Sequence, residues 1–194
     1  MPRIVFSSNI LPKEVVDVAK SMAPTNFDLV VADFPTPPFM EAVKDAEYFM
    51  GFVRGGFDDT FYKNASKLKL IQLISAGYDR VDIEAARRAK VLVANNGGAN
   101  AVSVAEHTML LILSTMKKLA NLHEGCMDGK WRVGDFSQNR LFELEGKTLG
   151  IVGLGNIGKK VARRAQAFGM SGIYYDIVRL TEDQEDALGV KFAL

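Results

Sequence analysis

Six residues in the last quarter of the chain, Gly153-Leu154-Gly155-Asn156-Ile157-Gly158, have the spacing G-x-G-x-x-G. In a strand-to-helix turn, the first glycine permits the tight bend and the second lets the backbone approach a pyrophosphate. The third lets the helix pack closely on the strand. A helix that begins at Asn156 and Ile157 would present free N–H groups and a partial positive charge to the phosphates. The spacing therefore predicts a dinucleotide site.

The surroundings of the glycine pattern support this interpretation. A β-rich run, Lys147–Val152, precedes it, a helical pattern follows it, and a second β-rich run leads to Asp176. An acidic residue ~20 positions after the pattern is expected to bind the ribose hydroxyls. Because a 2′-phosphate would be repelled by the carboxylate, Asp176 favours NAD over NADP. Arg179 lies nearby and would soften that preference.

The first half of the chain alternates between short apolar runs and segments with helical spacing. Five strands alternating with helices predict an α/β fold with a parallel, doubly wound sheet. The predicted strands are Ile4–Phe6, Leu29–Val31, Tyr48–Val53, Leu70–Ile74 and Val91–Ala94. The loop 95–100 is rich in asparagine and glycine and predicts a boundary between domains 1–100 and 101–194.

A long helix is predicted at about Ser103–Leu119. Ser103 and Glu106 have the S-x-x-E spacing of a capping box. Its middle, Met109–Leu113, is apolar on all sides, which predicts a helix buried on every side at a domain or subunit interface. A looser stretch, 121–145, is predicted after it and holds Trp131, expected to serve in packing.

Composition narrows the classes of protein. The chain has 194 residues, 48% hydrophobic and 24% charged, with a net charge of +1. That is enough apolar material for a core, and it excludes a disordered chain. The balanced charge argues against nucleic acid and anionic membranes as partners. The single cysteine, Cys126, excludes an internal disulfide and favours a cytoplasmic location, and no apolar run is long enough for a signal peptide or a membrane span.

Three blocks in the same order resemble the D-isomer-specific 2-hydroxyacid dehydrogenases, a family that includes phosphoglycerate, D-lactate and formate dehydrogenases. The blocks are Ser75–Asp82 (SAGYDRVD), Asn100–Thr108 (NAVSVAEHT) and Gly146–Gly158 (GKTLGIVGLGNIG). The resemblance implies a flavodoxin-like substrate-binding domain followed by the first part of a Rossmann NAD-binding domain. It also implies a homodimer, because the buried helix packs at the subunit interface in such enzymes.

The resemblance assigns further site residues. Arg54, Ala76, Gly77 and Asn100 match the pattern that contacts the carboxylate of a small substrate in the cleft between the two domains. Arginine pairs with a carboxylate through two hydrogen bonds, and Gly77 exposes backbone N–H groups. Tyr78 and Val104 match positions that line the nicotinamide side. A departure is Gly55-Gly56, where the family often has a small hydroxyl residue after the arginine. No metal ligand is implied.

The catalytic Arg, Glu and His of the family come from later strands, and none is assigned in this chain. His107 and His123 do not match the catalytic position; His107 is expected to be a packing or hydrogen-bonding residue of the long helix. A complete dinucleotide fold needs two βαβαβ halves, and the residues after Lys147 provide about one βαβ unit. The chain is therefore expected to be the N-terminal part of a longer enzyme and inactive alone.

Two alternatives remain open at this point. Relatives of the fold include NAD-sensing transcriptional corepressors, so a non-catalytic NAD-sensing or dimerisation module is the first. A formate-type dehydrogenase of the same family is the second, because the residues that would separate it from a hydroxyacid enzyme lie in the segment that the resemblance places later.

Overall fold

The computed structural model describes residues 1–8, 10–130 and 140–194. The chain forms two compact units, Met1–Ala99 and Asn100–Leu194. The division falls in the loop rich in asparagine and glycine, one residue before the predicted position. Asn100 therefore belongs to the second unit.

The first unit is built on a five-stranded parallel sheet with the order β2-β1-β3-β4-β5. The strands are β1 Arg3–Ser7, β2 Asp28–Val31, β3 Ala46–Gly51, β4 Leu70–Leu73 and β5 Leu92–Ala94. This order is that of flavodoxin-like sheets, in which ligands bind beyond the carboxyl ends of the strands where the order reverses. The predicted α/β class and parallel sheet are confirmed.

Four short helices connect these strands: α1 Lys13–Met22, α2 Pro37–Ala42, α3 Asp59–Asn64 and α4 Ile83–Arg88. A 3-10 turn, Val43–Asp45, follows α2. Aspartates fix where the last two begin, because each carboxylate accepts a hydrogen bond from a backbone N–H of the first turn. The acceptor oxygens, Asp58 Oδ1 and Asp82 Oδ1, lie 2.9 Å from the nitrogens of Phe61 and Ala85.

A cluster of phenylalanine rings forms much of the core of the first unit. Phe39, Phe49, Phe57 and Phe61 are all buried, and the Phe57 and Phe61 rings stack with centroids 3.9 Å apart. Burying aromatic rings in contact stabilises a fold beyond the area removed from water. Because Phe57 lies just after β3, this packing anchors the segment that carries Arg54.

The second unit has a three-stranded parallel sheet with the order β6-β7-β8. The strands are β6 Thr148–Val152, β7 Ser171–Tyr175 and β8 Val190–Phe192, and the helices are α5 Ala101–Met116, α6 Leu119–Met127, α7 Asn156–Ala167 and α8 Glu182–Leu188. The buried side of α7 is a stripe at helical spacing, Gly158, Val161, Ala162 and Ala165. Val161 and Ala165 pack with Ala105 and Met109 of α5 in one apolar cluster, whereas Ala162 packs with Tyr174 and Leu188 in another.

One prediction about the long helix is wrong. The helix begins at Ala101 with Asn100 as its N-cap residue, so Ser103 is already in its first turn and forms no capping box. Glu106 instead pairs with Arg164 of α7, with Oε1 and Nη2 3.0 Å apart. Leu110 and Leu111 of this helix are each about half exposed within this chain, and burial of the helix at a domain or subunit interface stays a prediction.

The prediction of a looser stretch that begins at residue 121 is also wrong in its first part, where the chain forms a helix. Lys118 adopts a left-handed conformation, with φ +52°, and separates α5 from a second helix, α6. Residues with positive φ interrupt a helix, so the chain restarts in a new direction. Trp131, for which packing was predicted, lies outside the described residues.

Candidate functional site

The turn between β6 and α7 contains the G-x-G-x-x-G residues. Gly153 has φ +90°, a conformation that side chains rarely adopt. Its N–H donates to the carbonyl of Tyr175 at 2.8 Å, which continues the pairing of β6 with β7 into the turn. The chain then enters α7 with Gly155 as the N-cap residue.

The second and third glycines of the pattern, Gly155 and Gly158, have different surroundings. A Cβ on Gly158 would lie 2.3 Å from the carbonyl oxygen of Gly153, closer than any real contact of that kind. A Cβ on Gly155 would meet no atom within 4 Å among the described residues. Gly158 is therefore required by packing between the helix and the turn, whereas Gly155 leaves open space in front of the helix.

The N-terminus of α7 offers hydrogen-bond donors that no side chain caps. The N-cap residue, Gly155, makes no side-chain hydrogen bond because it has no side chain, and the first turn holds no acidic residue. The first N–H groups of any helix lack partners within the helix, and they carry the positive end of its dipole. The predicted residues Asn156 and Ile157 are the first two of this helix and are exposed.

Asp176 lies directly after β7 and is tied to the same turn. Its Oδ2 accepts a hydrogen bond from the Leu154 N–H at 2.6 Å, and its Oδ1 accepts one from the Val178 N–H at 3.2 Å. These hydrogen bonds, the one from Val178 first, hold the pKa of the Asp176 carboxyl below its usual range. The carboxylate is therefore fixed beside the turn in its charged form, a contact that the sequence alone did not reveal.

A cavity of about 290 Å³ opens in the first unit beyond the carboxyl ends of β3 and β4. The charged and phenolic side chains of its lining are Arg54, Tyr78, Asp79 and Arg80, and Gly77 contributes backbone atoms. The remaining lining residues are Ile10, Phe52, Val53, Leu73, Ser75 and Val81. The structure therefore brings together three of the predicted residues, Arg54, Gly77 and Tyr78. Neither Arg54 nor Arg80 forms an ion pair with the described residues, so both guanidinium groups are available to an anion.

The other predicted residues lie elsewhere. Ala76 is not part of the cavity lining; its carbonyl accepts a hydrogen bond from Asn95 Nδ2 at 2.7 Å. Asn100 and Val104 belong to the second unit, at the start of α5, and both are exposed. Arg80 was missed from the sequence, although it stands within the quoted block Ser75–Asp82.

His107 is exposed on α5 and its side chain makes no hydrogen bond with the described residues, so neither role predicted for it, packing or hydrogen bonding, is seen within this chain; His123 is exposed on α6. In residues 1–8, 10–130 and 140–194, no three His, Cys, Asp or Glu side chains are arranged to hold a metal ion. Within the same ranges, every helix is too short or too polar to cross a bilayer.

Comparison with known proteins gives relatives of similar sequence. The chain is 31% identical over 185 residues to a glyoxylate reductase of Korarchaeum cryptofilum, a match that covers 93% of this chain and 55% of the relative. It is 37% identical over 154 residues to a D-3-phosphoglycerate dehydrogenase of Methanocaldococcus jannaschii, covering 78% of this chain and 28% of that protein. The chain thus spans about half the length of the glyoxylate reductase and less of the second relative.

The fold is also that of a solved dehydrogenase. A D-lactate dehydrogenase from Aquifex aeolicus, complexed with NAD and lactic acid, superposes with a TM-score of 0.81 at 26% identity, covering 98% of this chain and 55% of that one. The family model for the D-isomer specific 2-hydroxyacid dehydrogenase catalytic domain matches residues 4–186. The chain therefore belongs to the D-isomer specific 2-hydroxyacid dehydrogenase family.

Proposed function

We propose that this chain binds NAD(H) and a small 2-hydroxy or 2-oxo acid as part of an enzyme that transfers a hydride between them. The observation that carries the proposal is the turn at Gly153–Gly158, with Asp176 fixed beside it by backbone hydrogen bonds. The family, and relatives that are a glyoxylate reductase and a D-3-phosphoglycerate dehydrogenase, support oxidoreductase chemistry. Bound NAD would supply the hydride acceptor; the protein's part is to bind and orient.

The pyrophosphate is proposed to lie against Gly155 and the first turn of α7. The open space at Gly155 admits a phosphate oxygen, and the N–H groups of Asn156, Ile157 and Gly158 are the donors available to it. Gly153 contributes the tight bend that turns the strand into this helix. These residues together fit a dinucleotide without any basic side chain on the phosphates.

Asp176 is proposed to accept hydrogen bonds from the ribose hydroxyls. Its lowered pKa keeps it charged at neutral pH, and a carboxylate has acceptor sites left after the Leu154 and Val178 hydrogen bonds. A 2′-phosphate would meet like charge at this position, which supports the preference for NAD over NADP.

The cavity in the first unit is proposed to bind the substrate carboxylate. Arg54 would form a charge-assisted pair with it and the Gly77 N–H would donate a hydrogen bond. Ala76, Asn100, Tyr78 and Val104 stay predictions from the family pattern, the first two toward substrate and the last two toward the nicotinamide.

Three further parts of the proposal concern the whole protein. No catalytic Arg, Glu or His is assigned here, and we predict that this chain alone does not oxidise NADH. The exposed side of α5, with Leu110 and Leu111, supports a homodimer because a large apolar surface favours burial between subunits. The free, exposed Cys126 agrees with a reducing, cytoplasmic location.

The proposal is tested by titrating NADH fluorescence with this chain and with its Asp176→Asn variant. We expect saturable binding to the unmodified chain and about tenfold weaker binding to the variant, because one charge-assisted hydrogen bond contributes about 1.4 kcal/mol. Addition of glyoxylate, with formate as the alternative, then asks which acid binds to the chain. An absence of NADH binding would contradict the proposed function.

A further inference from the structure

Arg179 lies three residues after Asp176, the aspartate proposed to bind the ribose, and its positive charge could favour the 2′-phosphate of NADP. The buried carboxylate of Glu185 holds this arginine. Arg179 Nε donates to Glu185 Oε1 at 3.1 Å, and its guanidinium lies 5.4 Å from the centroid of the Phe192 ring. The Glu185 side chain is only 9% exposed, whereas that of Arg179 is 58% exposed. The arginine is therefore held at one end by a buried partner and free toward solvent along its other edge.

Glu185 is itself fixed by a second hydrogen bond. The hydroxyl of Tyr174, a residue of β7 that is 1% exposed, donates to the same Oε1 at 3.0 Å. The Leu180 N–H in turn donates to the Tyr174 oxygen at 2.8 Å. This chain of hydrogen bonds connects β7 with α8 and determines the course of the loop that follows Asp176.

We propose that Glu185 is a positioning residue for cofactor choice. By binding Arg179, it keeps the guanidinium away from the place beside Asp176 where the 2′-phosphate of NADP would need a cation. The inference rests on the proposed NAD site at Gly153–Gly158. It goes beyond that proposal because it assigns the preference to two groups, a carboxylate that repels and an arginine that is held back.

The chemistry of the pair explains why removing one charge would release the arginine. Glu185 keeps its charge because the Arg179 guanidinium lowers the pKa of its carboxyl. Glutamine has nearly the same shape and still accepts the Tyr174 hydrogen bond, but it attracts a cation only weakly. Since most of the Arg179 side chain is solvated, freeing it leaves no buried charge without a partner.

Another cation must be separated from Arg179 in any test. Lys159, in the first turn of α7, is exposed and also lowers the pKa of Asp176 by its charge. If NADP binds with the help of Lys159, removal of Arg179 will not change its affinity. Separate substitutions of Arg179 and Lys159 therefore show which of the two cations contributes to NADP affinity.

The test is a fluorescence titration of the full chain with NADPH and NADH in parallel. Glu185→Gln is expected to lower the ratio of the NADPH to the NADH dissociation constant by about tenfold, the lower end for one charge-assisted hydrogen bond. Glu185→Gln combined with Arg179→Ala should lose that gain, whereas Glu185→Gln with Lys159→Gln should keep it. Asp183→Asn, on the exposed side of the same helix, serves as the control and should leave the ratio unchanged.

The Asp176→Asn background removes the repulsion between the carboxylate and the 2′-phosphate. In this background the same variants should show a larger gain in NADPH affinity relative to NADH affinity. Should Glu185→Gln not fold, Phe192→Leu removes the ring under the guanidinium, keeps Glu185, and should shift the ratio in the same direction. An unchanged ratio in both backgrounds, or a gain that survives the loss of Arg179, would overturn this inference while normal NADH binding leaves the proposed function standing. No NADH binding to the unmodified chain would overturn both.

Discussion

The glycine-rich turn of the second unit and the cavity of the first unit are built in different ways. The turn uses six consecutive residues and one aspartate, and its key properties are backbone conformation and the absence of side chains. The cavity collects Ile10, the residues 52–54, Leu73, Ser75 and the residues 77–81 from three separate segments, and its key properties are two arginine side chains. A site made of backbone tolerates almost no change in residue type, whereas a site made of side chains can change its specificity one residue at a time.

The largest effect is expected for Gly158→Ala, which tests whether the turn depends on close packing. The new methyl group would meet the Gly153 carbonyl oxygen at 2.3 Å, and a backbone atom cannot move away cheaply. We expect a loss of about 3 kcal/mol in the free energy of unfolding of the second unit, because overpacking typically costs 1–3 kcal/mol or more. Urea unfolding and NADH titration measure it, and both stability and binding should fall.

Gly150→Ala is the matched control for that variant. Gly150 lies in β6, and a Cβ there would meet nothing within 4 Å in the described structure. Its stability should stay within about 1 kcal/mol of the original, as for glycine-to-alanine changes at compatible positions. Equal losses in the two variants would mean that the strand, not the packing of α7 on the turn, limits stability.

The second largest effect is expected for Gly155→Ala, which separates binding from folding. Since this Cβ would touch no described atom, the free energy of unfolding should fall by no more than about 1 kcal/mol, the cost of alanine in place of glycine at an N-cap position. The same methyl group would occupy the space proposed for the pyrophosphate, so NADH affinity should fall at least tenfold, or about 1.4 kcal/mol. Unchanged NADH affinity would show that the phosphates do not approach this glycine. The turn would then not be a binding site made of backbone, and its contrast with the side-chain cavity would fail.

The contrast between the two regions also explains what the sequence could predict. The turn can be predicted from the sequence because its residues are contiguous and lie between a predicted strand and a predicted helix, with Asp176 at the expected distance. The parallel sheets were predicted for a similar reason, since apolar strands alternate with helices along the chain. The fixed position of Asp176 against the Leu154 N–H was not found, because it depends on two loops meeting at 2.6 Å.

Features that depend on distant residues were harder to predict. Arg80 was overlooked because only the fold brings it to the same cavity as Arg54. The prediction of a capping box at Ser103 is wrong because the S-x-x-E spacing also occurs inside a helix. Glu106 forms an ion pair with Arg164 instead. Sequence spacing therefore predicts local backbone structure well and the partners of charged side chains poorly.

A smaller effect is expected for Arg54→Ala, which tests the side-chain character of the cavity. Loss of a charge-assisted pair should weaken the binding of glyoxylate about tenfold, and Arg54→Lys should recover only part because lysine cannot pair through two parallel hydrogen bonds. Chemical-shift titration of the labelled chain with glyoxylate measures both. Arg87→Ala is the control, since Arg87 pairs with Glu84 on the surface of α4, away from the cavity lining. A loss in Arg80→Ala equal to that in Arg54→Ala would show that the carboxylate lies between the two arginines.

The smallest effect is expected for Asp176→Asn on stability, and it depends on pH. Backbone hydrogen bonds lower the pKa of Asp176 in the folded chain below the unfolded value of about 3.9. A lowered folded-state pKa adds stability that is complete above the unfolded pKa and is lost as pH falls through the folded one. Thermal unfolding should therefore show the variant less stable from pH 8 to about pH 5, with the difference shrinking below about pH 4. Asp183→Asn, whose carboxylate makes no hydrogen bond or ion pair with the described residues, should show no such pH-dependent difference. A difference that stays constant down to the lowest pH would mean that the charge of Asp176 does not hold the turn, and that the proposed nucleotide site depends on its glycines alone.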